Sequence, residues 1–537
     1  MPEKNRVYRA RIEGYTSEGL GVARIDGQAV FVHRALRGED CDVLILKVLK
    51  NAAFGKAVRV YEPSPHRVEP DCPYYGRCGG CDFRHMDRTE ELAAKRQRVQ
   101  DALRRIGGSA VTVEGIDGGA PLHYRNKSQY PVAADGSVGF YKARSHQVVP
   151  VTQCLIQRPQ ADAAAQALRT YIASCGVSCY DEKTRRGLVR HLYIRTNGAG
   201  QSLICVVVNG KKLPGEEELV RLLRQAAPET VGVVLGVNTR PTGAVLGTEY
   251  RTLWGADVLT DTLCGLTFRL SVPSFYQVNR EMAERLYARA VEFAGLTGTE
   301  TVLDLYCGAG TITQVMARHA GRVIGAEIVP EAIEDAKANA KRNNVENVEF
   351  FCGDASAVAA DLAARGLRPD VICVDPPRKG LAPEVVRAAA QMAPQRIVYV
   401  SCDPATLARD VKLFGQEGYE AVRAAAVDMF PGTANVETIC LLSKLNAKQH
   451  IEINLDMDEL DLTDAEKKAT YQEIKDYVLE HSGLKVSSLY IAQVKQKCGI
   501  IERENYNKPK SEDAKQPQCP PDKEKAIKEA LTHFGMI

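Results

Sequence analysis

What most restricts this 537-residue chain is a regular alternation of strand and helix patterns that begins at residue 300. Apolar, β-branched runs at 301–306, 322–328, 348–352, 371–375 and 396–401 read as strands. A glycine turn and a helix follow the first run, and helical patterns fill 330–343, 383–392 and 404–416. Two further strands, 419–427 and 436–442, close the series. Such alternation predicts a doubly wound, mostly parallel α/β sheet of Rossmann-like type, with ligands at the carboxyl ends of its strands.

The residues at those strand ends carry the chemistry. The first strand runs into Asp304-Leu-Tyr-Cys-Gly308-Ala-Gly310-Thr, where glycines let a ligand approach backbone at a helix N-terminus. Thr313 stands where a dinucleotide fingerprint has its third glycine, so a nucleoside fits better than a pyrophosphate. Glu327 closes the second strand, near the offset at which an acid takes ribose hydroxyls, and Asp354 ends the third, toward a base edge. A glycine turn alone is a helix cap; with both acids it points to an adenosine-bearing cofactor. The next strands end in Asp375-Pro-Pro-Arg378 and Ser401-Cys402-Asp-Pro404. Cys402 heads the helix opened by Pro404, whose partial positive charge is expected to favour thiolate, and is read as a nucleophile before a buried structural thiol. Glu437 begins the last strand, where a salt-bridged surface carboxylate is the plainer alternative.

Upstream, five short alternating segments between 6 and 61, separated by turn formers, predict a small closed barrel of OB type. Basic barrels of this kind often hold single-stranded nucleic acid, though a ligand-free structural barrel has the same pattern. Residues 1–108 hold 20 Lys and Arg against 15 Asp and Glu, a net +5 inside an overall +3, which suits an anionic partner. After Pro63-Ser-Pro65 comes a loop with Cys72, Cys78 and Cys81, then a helix over 90–106 stopped by Gly107-Gly108. Residues 110–270 mix strands and helices. Most of the 16 cysteines, such as Cys205, Cys352, Cys373 and Cys440, stand singly in apolar strands and read as small buried hydrophobes. The loop cysteines suit zinc or an iron–sulfur cluster about equally, since Gly76, Gly79 and Gly80 let backbone wrap a metal. No stretch approaches the ~20 apolar residues that span a bilayer, and no secretory leader is visible, so a cytoplasmic, membrane-free protein is expected.

Taken together, the Gly308 turn, the Asp375-Pro-Pro-Arg and Ser401-Cys-Asp-Pro boxes and Asn435-Val-Glu437 resemble the S-adenosylmethionine-dependent RNA uracil-5-methyltransferases. Cys72-x5-Cys78-x2-Cys81 with Cys154 resembles the iron–sulfur, 23S ribosomal RNA branch of that family, and the N-terminal segment resembles its RNA-binding TRAM domain. The resemblance covers about residues 5–443. It implies Cys402 as nucleophile and Glu437 as general base. It implies Gln277, Tyr306, Thr311, Glu327, Asp354 and Asp375 as contacts to S-adenosylmethionine, and a four-iron, four-sulfur cluster on Cys72, Cys78, Cys81 and Cys154. Asn435 stands where many relatives have His, but an amide can still orient a carboxylate.

The expected architecture is multidomain. A barrel (1–62), an α+β domain with the cysteine loop (63–266), the methyltransferase domain (267–443) and a mostly helical tail (444–537) follow one another, the 90–107 helix having the option of packing on the methyltransferase domain. The tail, net −2, shows a capping box at Thr463-Asp-Ala-Glu466 and two helices with apolar positions Ile474, Val478, Leu479, Leu489, Ile491 and Val494. Cys498 and Cys519 flank a Lys/Pro-rich stretch, and no partner of the tail is apparent. The expected activity is methyl transfer to carbon 5 of uridine in 23S ribosomal RNA by a monomer. A transfer-RNA substrate, a non-catalytic RNA-binding or assembly protein, and a cluster-dependent redox or radical enzyme are the rival readings.

Overall fold

The computed structural model describes residues 1–445, 471–498, 519–534 and 536. It divides into two compact units, Met1–Asn446 and Ala447–Ile537. Among the described residues no helix is long and apolar enough to cross a membrane.

The first 62 residues form a six-stranded curled sheet, ordered Val7–Arg11, Asp40–Val48, Ala52–Glu62, Gln28–His33, Gly21–Ile25, Gly14–Tyr15. The sequence reading finds five of these strands and misses the two-residue Gly14–Tyr15. The two ends of this sheet are consecutive in the chain. At the corner between them the Ile12 N–H donates to Glu39 O and the Glu13 N–H to Val22 O, which closes the curl. Alternate residues such as Ala23, Val30, Val32, Val43 and Ile45 fill its interior.

A second layer follows, a five-stranded sheet ordered Glu249–Gly255, Thr230–Val237, Ser202–Val208, Val189–Thr196, Lys127–Pro131. Its middle strands are buried on both faces. One face meets the helices Pro159–Ser174 and Glu216–Ala226 through Leu192, Ile204 and Val206. The other packs Tyr193, Cys205 and Val207 near Leu259 and Val272.

The third layer is an eight-stranded sheet in the order Val348–Cys352, Arg322–Glu327, Thr301–Leu305, Val371–Val374, Arg396–Ser401, Glu437–Lys444, Tyr419–Val427, Val113–Asp117. The first five strands are parallel. Glu437–Lys444 is inserted antiparallel between Arg396–Ser401 and Tyr419–Val427. Strict alternation shares the side chains between two cores. Leu303, Leu305, Ile324, Ile372, Val374, Ile397 and Tyr399 face one, and Val302, Val323, Val371, Cys373, Val398 and Val400 face the other. The helix Ala355–Ala364, absent from the sequence reading, fills the gap after Cys352. Its run of alanines buries only Ala355, Ala359 and Leu362, too few apolar positions to mark a periodic stripe.

The helix Arg88–Arg105 joins the barrel to the eight-stranded sheet. Val99, Ala102 and Leu103 pack in the core that holds Leu407, Ala408 and Val411. Lys95, buried to 1% exposure, donates from Nζ to Asp428 Oδ1 (2.5 Å), Glu91 Oε1 (2.8 Å) and Phe430 O (3.1 Å). Arg88 completes the cluster on Asp428 and Glu91.

In the second unit the helices Tyr471–Ser482, Ser488–Lys497 and Pro521–His533 surround Ile474, Val478, Ile491, Val494, Ile527 and Leu531. The last helix is new to the sequence reading. Leu479, expected inside, is 44% exposed. The Thr463–Glu466 capping box and the side chain of Leu489 lie outside the described residues. Cys519 is buried in this core and Cys498 packs against it.

Removing one partner of a buried ion cluster leaves the other charges uncompensated. Lys95→Met is expected to destabilise the 1–446 unit by about 3–5 kcal/mol, seen as a lower urea midpoint. An unchanged midpoint would show that Arg88 alone neutralises Asp428.

Candidate active site and cysteine cavity

Strand register brings the sequence-predicted catalytic pair together. Ser401 pairs with Thr438 across the antiparallel ladder, so Cys402 and Glu437 are the next opposed positions at the same sheet edge. Val374 pairs with Tyr399 in the neighbouring parallel strand, which brings Asp375 to that edge as well. Glu437 is 3% exposed, and no hydrogen-bond donor among the described residues reaches its carboxylate. Burial first, then the adjacent Asp375, pushes it up to about 8, against the pull of Arg378. Burial raises Asp375 to about 7.

The expected thiolate-favouring setting of Cys402 does not hold in this structure. Burial and then the Glu437 carboxylate push the thiol up to about 11, with Arg378 opposing. Asp403 is the N-cap of the helix Pro404–Gln416, and its Oδ1 accepts from Ala405 N (2.8 Å) and Thr406 N (3.3 Å). The first free N–H groups are thereby taken, and Cys402 stands one residue outside the cap. Asn435 also differs from expectation. Its amide donates to Thr433 Oγ1 (3.5 Å) and leaves Glu437 unoriented.

The glycine turn and the acids stand along the same carboxyl edge of the parallel strands. Tyr306, Gly308 and Gly310 all take positive φ (71°, 55° and 74°). A Cβ on Gly308 would meet nothing within 4 Å, whereas one on Gly310 would press on Ala336 and Phe350 at 3.1–3.2 Å. Glu327 Oε2 accepts from Gly308 N (3.1 Å) and Oε1 from Val329 N (3.0 Å), which fixes its carboxylate at the mouth of the turn. Asp354 uses Oδ1 to cap the Ala355–Ala364 helix, through Ser356 N (3.0 Å) and Ala357 N (3.3 Å). Thr311 opens the next helix, its hydroxyl 3.0 Å from that of buried Tyr287. Gln277 is buried two residues before Asn279, which caps the helix Arg280–Ala294 and donates to Met429 O (3.2 Å). Below the turn, Thr313 Oγ1 donates to fully buried Asp304, whose carboxyl burial raises to about 7. An acid-lined cleft of this kind favours a cationic ligand.

The three loop cysteines and Cys154 line one cavity of about 230 Å3 with Arg84, Arg125 and Lys127. Among the described residues no three His, Cys, Asp or Glu side chains form a single-ion site. A four-iron cluster instead takes one thiolate per iron and asks the sulfurs to surround a volume. Arg84 Nε and Nη2 and Arg125 Nε are buried without partners, and burial lowers Lys127 to about 8. Arg84 Nη1 pairs with Asp71 (3.4 Å), but the remaining N–H groups of Arg84 and the Nε of Arg125 beside four sulfurs fit an anionic occupant. Sequence reasoning missed these cations, as well as Arg378 as a charge acting on Cys402 and Glu437. Lone basic residues far apart in sequence carry no motif.

A doubly wound sheet with a glycine turn and acids at successive strand ends fits an enzyme with a nucleoside-bearing cofactor. The tRNA (Uracil-5-)-methyltransferase family matches residues 87–445 and the TRAM domain residues 3–58. The chain belongs to this family of S-adenosylmethionine-dependent uracil-5 RNA methyltransferases and carries a TRAM domain before the catalytic part. A protein named uncharacterized RNA methyltransferase from Clostridium tetani is 43% identical over 452 residues, 83% of this chain and 98% of its own. One from Halalkalibacterium halodurans, similarly named, is 42% identical over 449 residues, with 82% and 98% covered. The solved structure of the Pyrococcus abyssi tRNA (uracil-54, C5)-methyltransferase in complex with S-adenosyl-L-homocysteine aligns with a TM-score of 0.66 at 26% identity, over 81% of this chain and 99% of that one.

The folded Glu437 value of about 8 lies above its ordinary 4.5, so folding favours the protonated acid. That contribution to stability is complete below pH 4.5 and is lost as pH rises through about 8. Glu437→Gln has no proton to lose, so its melting temperature is expected to gain on the wild type across that window. A constant difference would contradict the raised value.

Proposed function

We propose that the protein methylates carbon 5 of a uridine in 23S ribosomal RNA through a transient bond from Cys402 to the pyrimidine. What carries the reading is the register Ser401↔Thr438, which opposes a thiol and a carboxyl at one sheet edge beside Asp375. S-adenosylmethionine supplies an electrophilic methyl on a sulfonium centre. Gln277, Tyr306, Thr311, Glu327, Asp354 and Asp375 would hold it; the open face at Gly308 and the acid-lined cleft fit a cationic nucleoside.

Carbon 5 of uracil is a weak nucleophile. Once the Cys402 thiol has lost its proton to solvent, the thiolate adds to carbon 6, and the electron pair of the 5,6 double bond becomes available at carbon 5 to take the methyl group. Glu437 as carboxylate then removes the carbon-5 proton. Its electrons re-form the double bond, the carbon–sulfur bond breaks, and thiolate returns. Such a positioned base is typically worth about 10²–10⁴-fold in rate. Reaching the base requires an unstacked, flipped nucleotide, with the basic barrel of residues 1–62 holding flanking single strand. On this reading 63–266 carries the cysteine site, 267–443 the chemistry and 444–537 an appendage of unassigned role, in a cytoplasmic monomer.

Cys72, Cys78, Cys81 and Cys154 would hold a four-iron, four-sulfur cluster, with Arg84 and Arg125 offering their unpaired N–H groups to it. The same four cysteines favour ribosomal RNA through the branch their spacing resembles. Transfer RNA is the second reading, supported by the substrate in the name of the Pyrococcus abyssi structure.

Cys402→Ala is expected to abolish methyl transfer from labelled S-adenosylmethionine, and Glu437→Gln to accumulate a denaturation-resistant protein–RNA adduct. Full 5-methyluridine formation by Cys402→Ala would end the nucleophile assignment. Label appearing in transfer RNA and not in ribosomal RNA would replace the substrate. Anaerobically purified protein should be brown and contain iron and sulfide; stoichiometric zinc without iron would refute the cluster.

A further inference from the structure

We infer that Asp82 is a positioning residue for Glu437, acting through the strap of residues 428–436 that enters the base's strand. This rests on Glu437 being the base. The carboxylate accepts no hydrogen bond among the described residues, so backbone alone sets its place. Gly432 and Ala434, the last anchored points of the strap before Glu437, are held mostly from outside the strap. The Asp82 and Phe83 N–H groups both donate to Gly432 O (2.9 and 3.0 Å), and Asp82 Oδ2 accepts from Ala434 N (2.9 Å). Glu91 Oε1 accepts from Gly432 N (2.6 Å), and Arg98 Nη1 donates to Ala434 O (2.6 Å). Gly432 takes φ 80°, and a Cβ there would lie 3.8 Å from Cys81 Sγ, so the strap runs against the cysteine loop itself. Phe83 and Ala434 share a small core with Leu36 of the barrel.

Asp82 is the one side chain that holds an N–H within three residues of Glu437 while belonging to the loop that carries three of the four cavity cysteines. Its loss frees the strap at Ala434, and a displacement of the order of 1 Å at a reacting group costs about 10²-fold. Neither Cys402 nor any residue assigned to the cofactor lies in the strap, so the step expected to suffer is proton removal from carbon 5.

The test compares full-length Asp82→Ala, Asp82→Asn, Arg98→Met and Glu437→Gln with wild type. The readouts are kcat, KM, the fraction of protein in denaturation-resistant RNA adduct, and iron content. Asp82→Ala should lower kcat about 10²-fold at unchanged KM and iron, with methylated adduct accumulating. Asp82→Asn, whose side-chain carbonyl can still accept from Ala434 N, should restore turnover. Arg98→Met loses the other side-chain contact to Ala434 and should accumulate adduct even where Asp82→Ala folds poorly. Wild-type turnover by Asp82→Ala, or loss of adduct and product together in both folded variants, would overturn the inference. If Glu437→Gln accumulates adduct and Asp82→Ala and Arg98→Met do not, only the positioning role falls; if Glu437→Gln forms none, the base assignment falls first.

Discussion

The buried contact between Lys95 and Asp428 is the interaction on which the arrangement of the catalytic unit depends. The residues lie 333 positions apart, and both are almost fully removed from water. Burying such charges is costly unless each is paired and its remaining hydrogen-bonding capacity is used. Here Glu91 and Arg88 supply the second pair, and Phe430 O takes another Lys95 proton. The cluster therefore works only in one geometry. One turn of the same helix also faces the barrel, where Glu90 accepts from Tyr15 OH (2.7 Å) and Arg37 Nη2 (2.9 Å). The barrel and the eight-stranded sheet are thus referenced to a single helix.

Local pattern was enough to expose the catalytic sheet, because period-2 alternation and strand-ending prolines are local signals. The residues that converge at the cleft could be identified from that pattern: the strand ends at 306, 327, 354, 375 and 402 fall on one edge by topology. What remained hidden depends on distance or competition. Nothing in Val113–Asp117 indicates that it pairs with Tyr419–Val427 some 300 residues later. The alanine-rich helix at 355 lacks a stripe, and the exposed Leu479 sits at a helical spacing that matched the tail core without belonging to it. The thiol of Cys402 is the sharpest case. A helix start two residues along the chain suggested thiolate, yet the cap made by Asp403 and the neighbouring Glu437 outweigh that field once the group is buried.

The same burial explains why acids crowd this cleft. Asp304, Asp375 and Glu437 are all raised into or above the neutral range, and Asp375 contributes to raising the other two. Such a set resists carrying its full negative charge without a counter-charge. A sulfonium donor provides one, and its neutral thioether product does not, so the site's electrostatics favour the reactive form of the cofactor over the spent one.

Glu437 follows a different logic from the other groups. Glu327 and Asp354 are oriented by hydrogen bonds to nearby backbone, whereas Glu437, on the proposed role as base, would stay free to accept a proton and forgo such partners. An unbonded carboxyl in a buried position is held only by the rigidity of the chain on either side. On one side that rigidity comes from the ladder with Arg396–Ser401 and Tyr419–Val427. On the other it comes from a strap with few contacts of its own, borrowed from Asp82, Glu91, Lys95 and Arg98. A group kept free for chemistry therefore requires a clamp elsewhere, which accounts for buried charge far from any substrate.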